Sequence, residues 1–322
     1  MICLTIRNCW PLSIFYLILL LLVGPSQELA SSAVRAKRAK RLVPKKQQIQ
    51  DFVKTTPQPG VVSSFPISAP PKLRNVPKDR KRQEISREEI SSVTVLAPNE
   101  ASVLLVNGTT ITVKPQELDQ RSMEHVWLAV RSSLQVTASE FSAVLNTSYF
   151  TTREELIDIK MGNRPAFEGN AACTWGLNVE PTAFRQYAKA TNNLVEETGL
   201  HIHPNGKYGA SPDGLVMDKK DGSQGLLEIK CMYGKRTKTK MKQYDFCPNR
   251  FFDQIQGQMA ICDRPWCDLM IWIPKNSKQK NYSILRVFRN ETYWDNKLGP
   301  ALEKFCDEVA ALKMKQECEG IE

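Results

Sequence analysis

Two short apolar segments separated by a polar turn stand out between residues 208 and 231 of this chain. The first segment covers residues 214–217 (GLVM), and the second covers residues 225–230 (GLLEIK). Residues 218–224 between them are polar or glycine, which is typical of a turn that joins two strands. The pattern therefore predicts a β-hairpin, with Asp213 at the start of its first strand.

A second β-rich stretch lies upstream, at residues 92–114. Its valine-rich runs are interrupted by Pro-Asn-Glu and by Asn107-Gly108, a dipeptide that favours a tight hairpin turn, so we predict two or three short strands. A helical pattern begins near Arg121, and helices and strands are mixed beyond it. These patterns predict an α/β fold: a central mixed sheet flanked by helices in residues 121–322, preceded by a small β-rich extension at residues 91–120.

The first 90 residues differ from the rest in composition. Residues 10–23 form an apolar run that suits the hydrophobic region of a signal peptide and is short for a membrane-spanning helix. Residues 1–30 are therefore a signal peptide, a retained anchor in contact with a membrane, or a misassigned start. Residues 31–90 are basic and rich in proline, which predicts a disordered linker. For a form without the leader, we expect the nucleus or another DNA-containing compartment.

The net charge of +10 belongs to the linker rather than to the body of the protein. Residues 34–90 contain 15 Lys and Arg against 5 Asp and Glu, whereas residues 91–322 contain 28 of each sign. The basic net charge is therefore no sign that the folded body binds nucleic acid, and such a function must be inferred from motifs. The ordinary composition excludes collagen-like, coiled-coil and wholly disordered chains.

Cysteine and histidine give little indication of a metal site or a disulfide framework. None of the nine cysteines lies in a Cys-x-x-Cys pair, so we expect mostly reduced, buried thiols. His201 and His203 stand beside Pro204. This pattern is more typical of a strand that enters a turn than of a metal site.

Glycosylation matters only if the chain enters the secretory pathway. Its four sequons begin at Asn107, Asn146, Asn281 and Asn290.

Three charged residues of the predicted hairpin can act together. Glu228 and Lys230 are two apart on the second strand and share a face, and Asp213 can meet them across the hairpin. Two carboxylates and an ammonium suit metal-dependent phosphodiester cleavage, with Mg²⁺ or Mn²⁺ activating a water that the lysine orients. A Glu-x-Lys triplet alone is more often a surface ion pair. Here, the apolar neighbours favour a functional site because buried charges break the local pattern.

Four short motifs follow one another between residue 127 and about residue 287. They are residues 136–141 (VTASEF), residues 175–180 (WGLNVE), the pair 211–215 (SPDGL) and 227–231 (LEIKC), and residues 253–259 (DQIQGQM). In this order they resemble the motifs of the lambda exonuclease and YqaJ viral recombinase family, within the PD-(D/E)xK nuclease superfamily. The resemblance leaves residues 1–120 outside it and implies a restriction-endonuclease-like core.

The resemblance implies a role for each matching residue of the core motif. Asp213 and Glu228 would be metal-ligand carboxylates, with the carbonyl of Ile229 as a third protein ligand. Glu180, on the preceding helix, would hold a second metal directly or through water. Lys230 would orient or activate the attacking water.

The other motifs imply contacts around the metal site. Gln254, on the following helix, would brace it, and a second glutamine four residues further on shares its face, as in any amphipathic helix. Arg131 and Ser139 correspond to residues that hold a 5′-terminal phosphate, although the interval between them is one residue longer than in the phage enzyme. The basic cluster that includes Lys235 and Arg236 would follow the DNA backbone, unless it is a solvated loop.

The leading hypothesis is therefore a Mg²⁺-dependent DNA exonuclease that digests duplex ends 5′ to 3′ in recombination or repair. The phage relatives also imply a homotrimer. A structure-selective endonuclease on the same fold is a second enzyme hypothesis. A DNA-binding module without catalysis comes from a different class, and the intact Asp213, Glu228 and Lys230 argue against it. The leader adds a secreted or membrane-tethered nuclease.

Overall fold

Most of the chain from residue 85 onward is described by the computed structural model. The described residues are 85–97, 100–118, 124–167, 169–233, 244–274 and 281–319. The apolar run at residues 10–23 and nearly all of the basic linker lie outside them, as do Lys235 and Arg236. Among the helices of the described ranges, none is long and apolar enough to cross a membrane.

The strands of this part of the chain form three sheets. In chain order the strands are β1 Ile90–Ala97, β2 Glu100–Leu105, β3 Thr110–Val113, β4 Val136–Thr137, β5 Leu194–Glu196, β6 His201–Ile202, β7 Tyr208–Ala210, β8 Gly214–Met217, β9 Gln224–Cys231, β10 Trp266–Trp272 and β11 Tyr282–Phe288. The main helices, short helical turns aside, are α1 Glu124–Ser133, α2 Phe141–Val144, α3 Arg153–Lys160, α4 Ala171–Thr191, α5 Asn249–Ile261 and α6 Gly299–Glu319.

The central sheet has the strand order β11-β10-β9-β8-β5. Strands β9 and β10 are parallel, and every other neighbouring pair is antiparallel. Strands β8 and β9 form a hairpin in which Gly214 faces Leu227 and Met217 faces Gln224. Helix α4 packs on one side of the sheet and α5 packs on the other, where α6 contributes side chains to the same core as α5. The predicted mixed sheet with flanking helices is confirmed.

Strand β9 separates an apolar side from a polar side because successive side chains alternate. Leu227 and Ile229 pack in one core with Tyr187 of α4. Glu228, which lies between them in sequence, points to the opposite side, where Ile255 of α5 belongs to the other core. The hairpin therefore buries a carboxylate beneath helix α5.

A small sheet joins two motifs that are far apart in sequence. Strand β7 pairs in parallel with β4 and antiparallel with β6. Strand β4 leads into a short helical turn that carries Ser139, and β7 leads into the segment that carries Asp213. Two-residue strands have no periodicity, so the sequence pattern did not predict this sheet. Its pairing places Ser139 and Asp213 on neighbouring segments.

The N-terminal strands form an antiparallel sheet with the order β1-β2-β3. Val103 of β2 shares a core with Val126, Trp127 and Val130 of α1. The β-rich N-terminal extension of the predicted fold class is thus confirmed. It packs on the helix that carries Arg131.

The fold determines the burial of the described cysteines and of the sequon asparagine Asn281. Each described cysteine has a free thiol, and the buried ones are Cys247, Cys262, Cys267 and Cys306. Asn281 is 5% exposed, and its amide nitrogen donates to the Ile273 carbonyl at 2.7 Å. This fold therefore leaves the Asn281 amide no access to a glycan.

Candidate active site

Glu228 is the buried carboxylate at the centre of the candidate site. It is 3% exposed. Its Oε1 accepts hydrogen bonds from Lys230 Nζ at 2.5 Å and from Gln254 Nε2 at 2.8 Å, and its Oε2 accepts one from Gln258 Nε2 at 2.7 Å. Three donors therefore compensate a charge that burial alone would make costly.

Helix α5 supplies two of these donors from one face. Gln254 and Gln258 are four residues apart and lie one turn from each other, while Ile255 anchors the helix in the core. Gln254 Oε1 also accepts a hydrogen bond from Lys230 Nζ at 3.1 Å. The lysine, Gln254 and Glu228 thus form a closed ring of hydrogen bonds.

Asp213 reaches the same place from the segment before β8. Its Oδ2 accepts the backbone N–H of Ile229 at 2.5 Å. Burial, and after it the carboxylates of Glu228 and Glu180, raise the pKa of Asp213 well above its ordinary value, although Lys230 acts in the opposite direction. Negative charge is crowded at this end of the hairpin, as it is in sites that bind cations.

Lys230 is held as an ammonium group. Burial alone would lower its pKa, but the carboxylates of Glu228 and Asp213 raise the pKa above its ordinary value. The ammonium nitrogen also lies 5.4 Å from the centre of the Phe251 ring, within the range of a cation–π contact. In this arrangement, Lys230 is a hydrogen-bond donor and not a proton acceptor.

One cavity of about 450 Å³ connects the carboxylates to a second group of predicted residues. Lys230 and Ile229 are not among its lining residues, but each donates a hydrogen bond to a carboxylate that is: Lys230 to Glu228, and the Ile229 N–H to Asp213. The predicted site residues that line the cavity are Arg131, Ser139, Glu180, Asp213, Glu228 and Gln254.

Arg131 and Ser139 also line this cavity and contact each other. Arg131 Nη2 donates to Ser139 Oγ at 2.8 Å and to Thr137 Oγ1 at 2.9 Å. Its guanidinium lies 5.2 Å from the centre of the Trp127 ring. Burial lowers the pKa of Arg131, and Glu140 partly opposes that effect. The longer interval between Arg131 and Ser139 therefore does not separate them.

Residues 126–265 match the YqaJ-like viral recombinase domain family. The chain contains a YqaJ-like domain. A crystal structure of LHK-Exo in complex with dAMP is 28% identical to it, with a TM-score of 0.50, and the match covers 62% of this chain and 98% of that chain. The predicted resemblance to the lambda exonuclease and YqaJ family is confirmed.

A second crystal structure of LHK-Exo and one viral protein are also similar to the chain. A crystal structure described as an alkaline exonuclease (LHK-Exo) from Laribacter hongkongensis is 29% identical, with a TM-score of 0.49, over 61% of this chain and 97% of that chain. An uncharacterized protein of Acanthamoeba polyphaga mimivirus is 28% identical over 166 residues, which is 49% of this chain. The chain spans only 30% of the length of that viral relative.

The carboxylates of the YqaJ-like domain have the chemistry of a divalent-cation site. Asp213, Glu228 and Glu180 line the cavity, and carboxylate oxygens are preferred ligands of hard cations. Within the described ranges, no three His, Cys, Asp or Glu side chains are grouped closely enough to hold a metal ion. Both Glu228 oxygens are bonded to Lys230 and to the two glutamines instead. The donor set fits a cation, provided that Glu228 exchanges some of these hydrogen bonds for it.

Some contacts of the YqaJ-like domain were missed by sequence reasoning. Trp127 lies four residues before Arg131 on α1, a spacing that could have indicated their contact. The hydroxyl of Thr137 lies beside Ser139, within the motif that drew attention to the serine. The bond from Gln258 to Glu228 needs the tertiary packing of α5 on β9; helical spacing places Gln258 on the same face as Gln254 but does not identify its partner.

The two histidines of the His-x-His pair contact partners other than the carboxylates. His201 Nε2 lies 2.8 Å from Thr198 Oγ1, and the His203 ring stacks on Tyr208 with ring centroids 4.4 Å apart. Burial, and after it the charge of Arg264, lower the pKa of His201 to about 4. His201 is therefore a neutral, half-buried residue near pH 7.

Proposed function

We propose that this chain is a divalent-metal-dependent DNA exonuclease, acting in recombination or repair, that digests duplex ends 5′ to 3′. The observation that carries the proposal is the single cavity that Asp213 and Glu228 share with Arg131 and Ser139. The carboxylates would support hydrolysis of a phosphodiester while Arg131 and Ser139 hold the strand terminus. The similarity to LHK-Exo, which is named an alkaline exonuclease, supports this class of activity.

The cation would be held by the carboxylates of Asp213, Glu228 and Glu180, with the Ile229 carbonyl as a further ligand. We expect Mg²⁺, with Mn²⁺ as a substitute, because all of these donors are oxygens. When bound, such a cation polarises the phosphoryl oxygen and lowers the pKa of a coordinated water.

Lys230 and Gln254 would prepare the attacking water. Lys230 remains protonated beside Glu228, so its ammonium donates a hydrogen bond that orients the water and stabilises the charge on the phosphoryl group. Gln254 contacts both Lys230 and Glu228 and keeps the two at a fixed separation. The side chains would thus be positioned before the substrate arrives.

The proposed direction of digestion depends on Arg131 and Ser139. A guanidinium and an exposed hydroxyl are suitable donors for a terminal phosphate, and the Arg131–Ser139 hydrogen bond at 2.8 Å already joins them. A 5′-phosphate bound there would place a nearby phosphodiester at the carboxylates. Lys235 and Arg236 would track the backbone of the same DNA.

The proposed assembly and location rest on the resemblance and on the leader. We expect a homotrimer around DNA, as the phage relatives imply. Residues 10–23 would direct the chain to the secretory pathway or hold it at a membrane, and a form without them would act in the nucleus or another DNA-containing compartment. Sedimentation of the purified chain and microscopy of forms with and without residues 1–30 test these expectations.

The activity is tested with linear duplex DNA that carries either a 5′-phosphate or a 5′-hydroxyl, in Mg²⁺ or in EDTA. We expect nucleotide release that requires Mg²⁺ and is faster from phosphorylated ends. Lys230→Met should lower kcat by at least about 100-fold, since a positioned donor in the transition state is removed. Lys220→Met, in the exposed turn of the same hairpin, is the matched control and should remain active.

Other outcomes of this assay identify the alternatives. Internal cuts in circular DNA would indicate a structure-selective endonuclease. Binding of DNA without cleavage, in the presence of Mg²⁺ and Mn²⁺, would indicate a DNA-binding module. Release of nucleotides from 3′ ends would contradict the proposed direction.

A further inference from the structure

Gln258 is the more buried of the two glutamines on α5 that contact Glu228. It is fully buried, with an exposed fraction of 0%, yet it lines the cavity of the candidate site. Its Nε2 donates to Glu228 Oε2 at 2.7 Å. This bond fixes the orientation of the amide, because the reversed amide would place its oxygen against a carboxylate oxygen.

The amide oxygen of Gln258 consequently points away from Glu228. Across the described ranges, no residue donates a hydrogen bond to Gln258 Oε1. A buried carbonyl oxygen without a donor is unfavourable, and such atoms in native proteins call for a specific explanation. A donor that enters the cavity would satisfy it.

Two other glutamines of the same helix show that this state is not general. Gln254 is bonded at both ends of its amide, to Glu228 and to Lys230. Gln256 is also bonded at both ends, since its Nε2 donates to the Phe288 carbonyl at 2.9 Å and its Oε1 accepts the Asn290 N–H at 2.8 Å. Among these three glutamines, the oxygen without a donor therefore belongs to Gln258, which lines the cavity and contacts Glu228 through its nitrogen alone.

We propose that Gln258 is a positioning residue of the cation site, whose Nε2 fixes the Glu228 carboxylate and whose Oε1 accepts a hydrogen bond from a water molecule in the cavity. The inference rests on the proposed function and extends it to Gln258, a residue to which the motif resemblance assigns no role. A water fits because it can donate to Oε1 while its own oxygen faces a cation held by the carboxylates. Residues that orient metal ligands and metal-bound water commonly change affinity about 10- to 100-fold when they are replaced.

Direct titration of Mn²⁺ into the full chain, by calorimetry without DNA, tests the role of Gln258. Gln258→Met keeps the length of the side chain and removes both polar atoms, and we expect at least about tenfold weaker Mn²⁺ binding. Gln256→Met makes the same change at a buried glutamine of the same helix that does not line the cavity, and it controls for general destabilisation. Equal affinities in the two variants, or a wild-type chain that does not bind Mn²⁺, would overturn the proposal.

A crystal structure of the wild-type chain with Mn²⁺ tests the water itself. We expect an ordered water within about 3.2 Å of Gln258 Oε1. A protein N–H in that position, or no density there, would contradict the assignment. The nuclease assay separates the two proposals, because a wild-type chain that binds Mn²⁺ through Gln258 but leaves DNA intact overturns the function and not this inference.

Discussion

Arg131 combines three contacts that no other side chain could make at once. It donates to the hydroxyls of Thr137 and Ser139, and its planar guanidinium lies over Trp127. Lysine carries the same charge, but it has three N–H donors where the guanidinium has five, and its ammonium cannot stack flat on an indole ring. The geometry at this end of the cavity, and not charge alone, is therefore expected to select the strand terminus.

We predict that Arg131→Lys lowers the preference for 5′-phosphorylated ends about tenfold, because the charge remains while the planar guanidinium and its additional N–H donors are lost. The preference is the ratio of kcat/KM for phosphorylated and hydroxylated duplexes. Ser133→Ala is the control, since that hydroxyl bonds to the Val130 carbonyl of its own helix. An unchanged ratio in Arg131→Lys would mean that the end phosphate is bound elsewhere.

His201 links the stability of the fold to pH. Burial first, and then Arg264, lower its pKa from 6.5 to about 4. The unfolded chain therefore binds more protons than the folded chain below pH 7, so this residue makes stability fall as the pH falls from about 7 towards 4.

Between pH 7.5 and pH 5, the free energy of unfolding, measured in urea, should fall by about 2 kcal/mol less in His201→Gln than in the wild type. The other titrating groups are the same in both chains, so the difference isolates His201. Parallel pH profiles would show that His201 is not held neutral.

Helix α5 is the element that holds the site together. Below the glutamines, the Asp253 carboxylate accepts hydrogen bonds from the hydroxyls of Thr147 and Tyr293. The backbone of the helix also packs directly on Phe141, because a Cβ added to Gly257 would lie 2.3 Å from that ring. The position of α5, and with it both amides at Glu228, is therefore set by close packing.

We predict that Gly257→Ala lowers the free energy of unfolding by about 2 kcal/mol, because the new methyl group forces Phe141 and α5 apart. It should also reduce nuclease activity, as the glutamines move with the helix. Gly176→Ala on α4 is the matched control: its Cβ would meet nothing within 4 Å, and alanine should stabilise that helix by about 0.5–1 kcal/mol. Chemical denaturation of both variants checks the opposite signs.

Across the whole molecule, the sequence predicts local features better than long-range contacts. The hairpin and the shared face of Glu228 and Lys230 follow from alternation with a period of two, which a single strand contains. The contact between β4 and β7 involves strands too short to show a pattern. The bond from Gln258 to Glu228 depends on how a helix packs across a sheet, and periodicity within either element does not contain that information.

The N-terminal sheet offers a test at the scale of the whole domain, because it shares a core with α1 and thus supports Arg131 from behind. Val103 is 0% exposed in that core, whereas its neighbour Leu104 is 37% exposed on the other face of β2. We predict that Val103→Asp lowers the free energy of unfolding by at least about 3 kcal/mol, since it buries an unpaired charge, while Leu104→Asp changes it by less than about 0.5 kcal/mol.

The effect on activity should be selective in the same way. In Val103→Asp, assayed below its unfolding temperature, α1 loses its support, so the preference for 5′-phosphorylated ends should fall while Mn²⁺ binding at the carboxylates persists. Leu104→Asp should keep both properties. Equal loss of end preference and Mn²⁺ binding in Val103→Asp would show that the two ends of the cavity depend on one cooperative core.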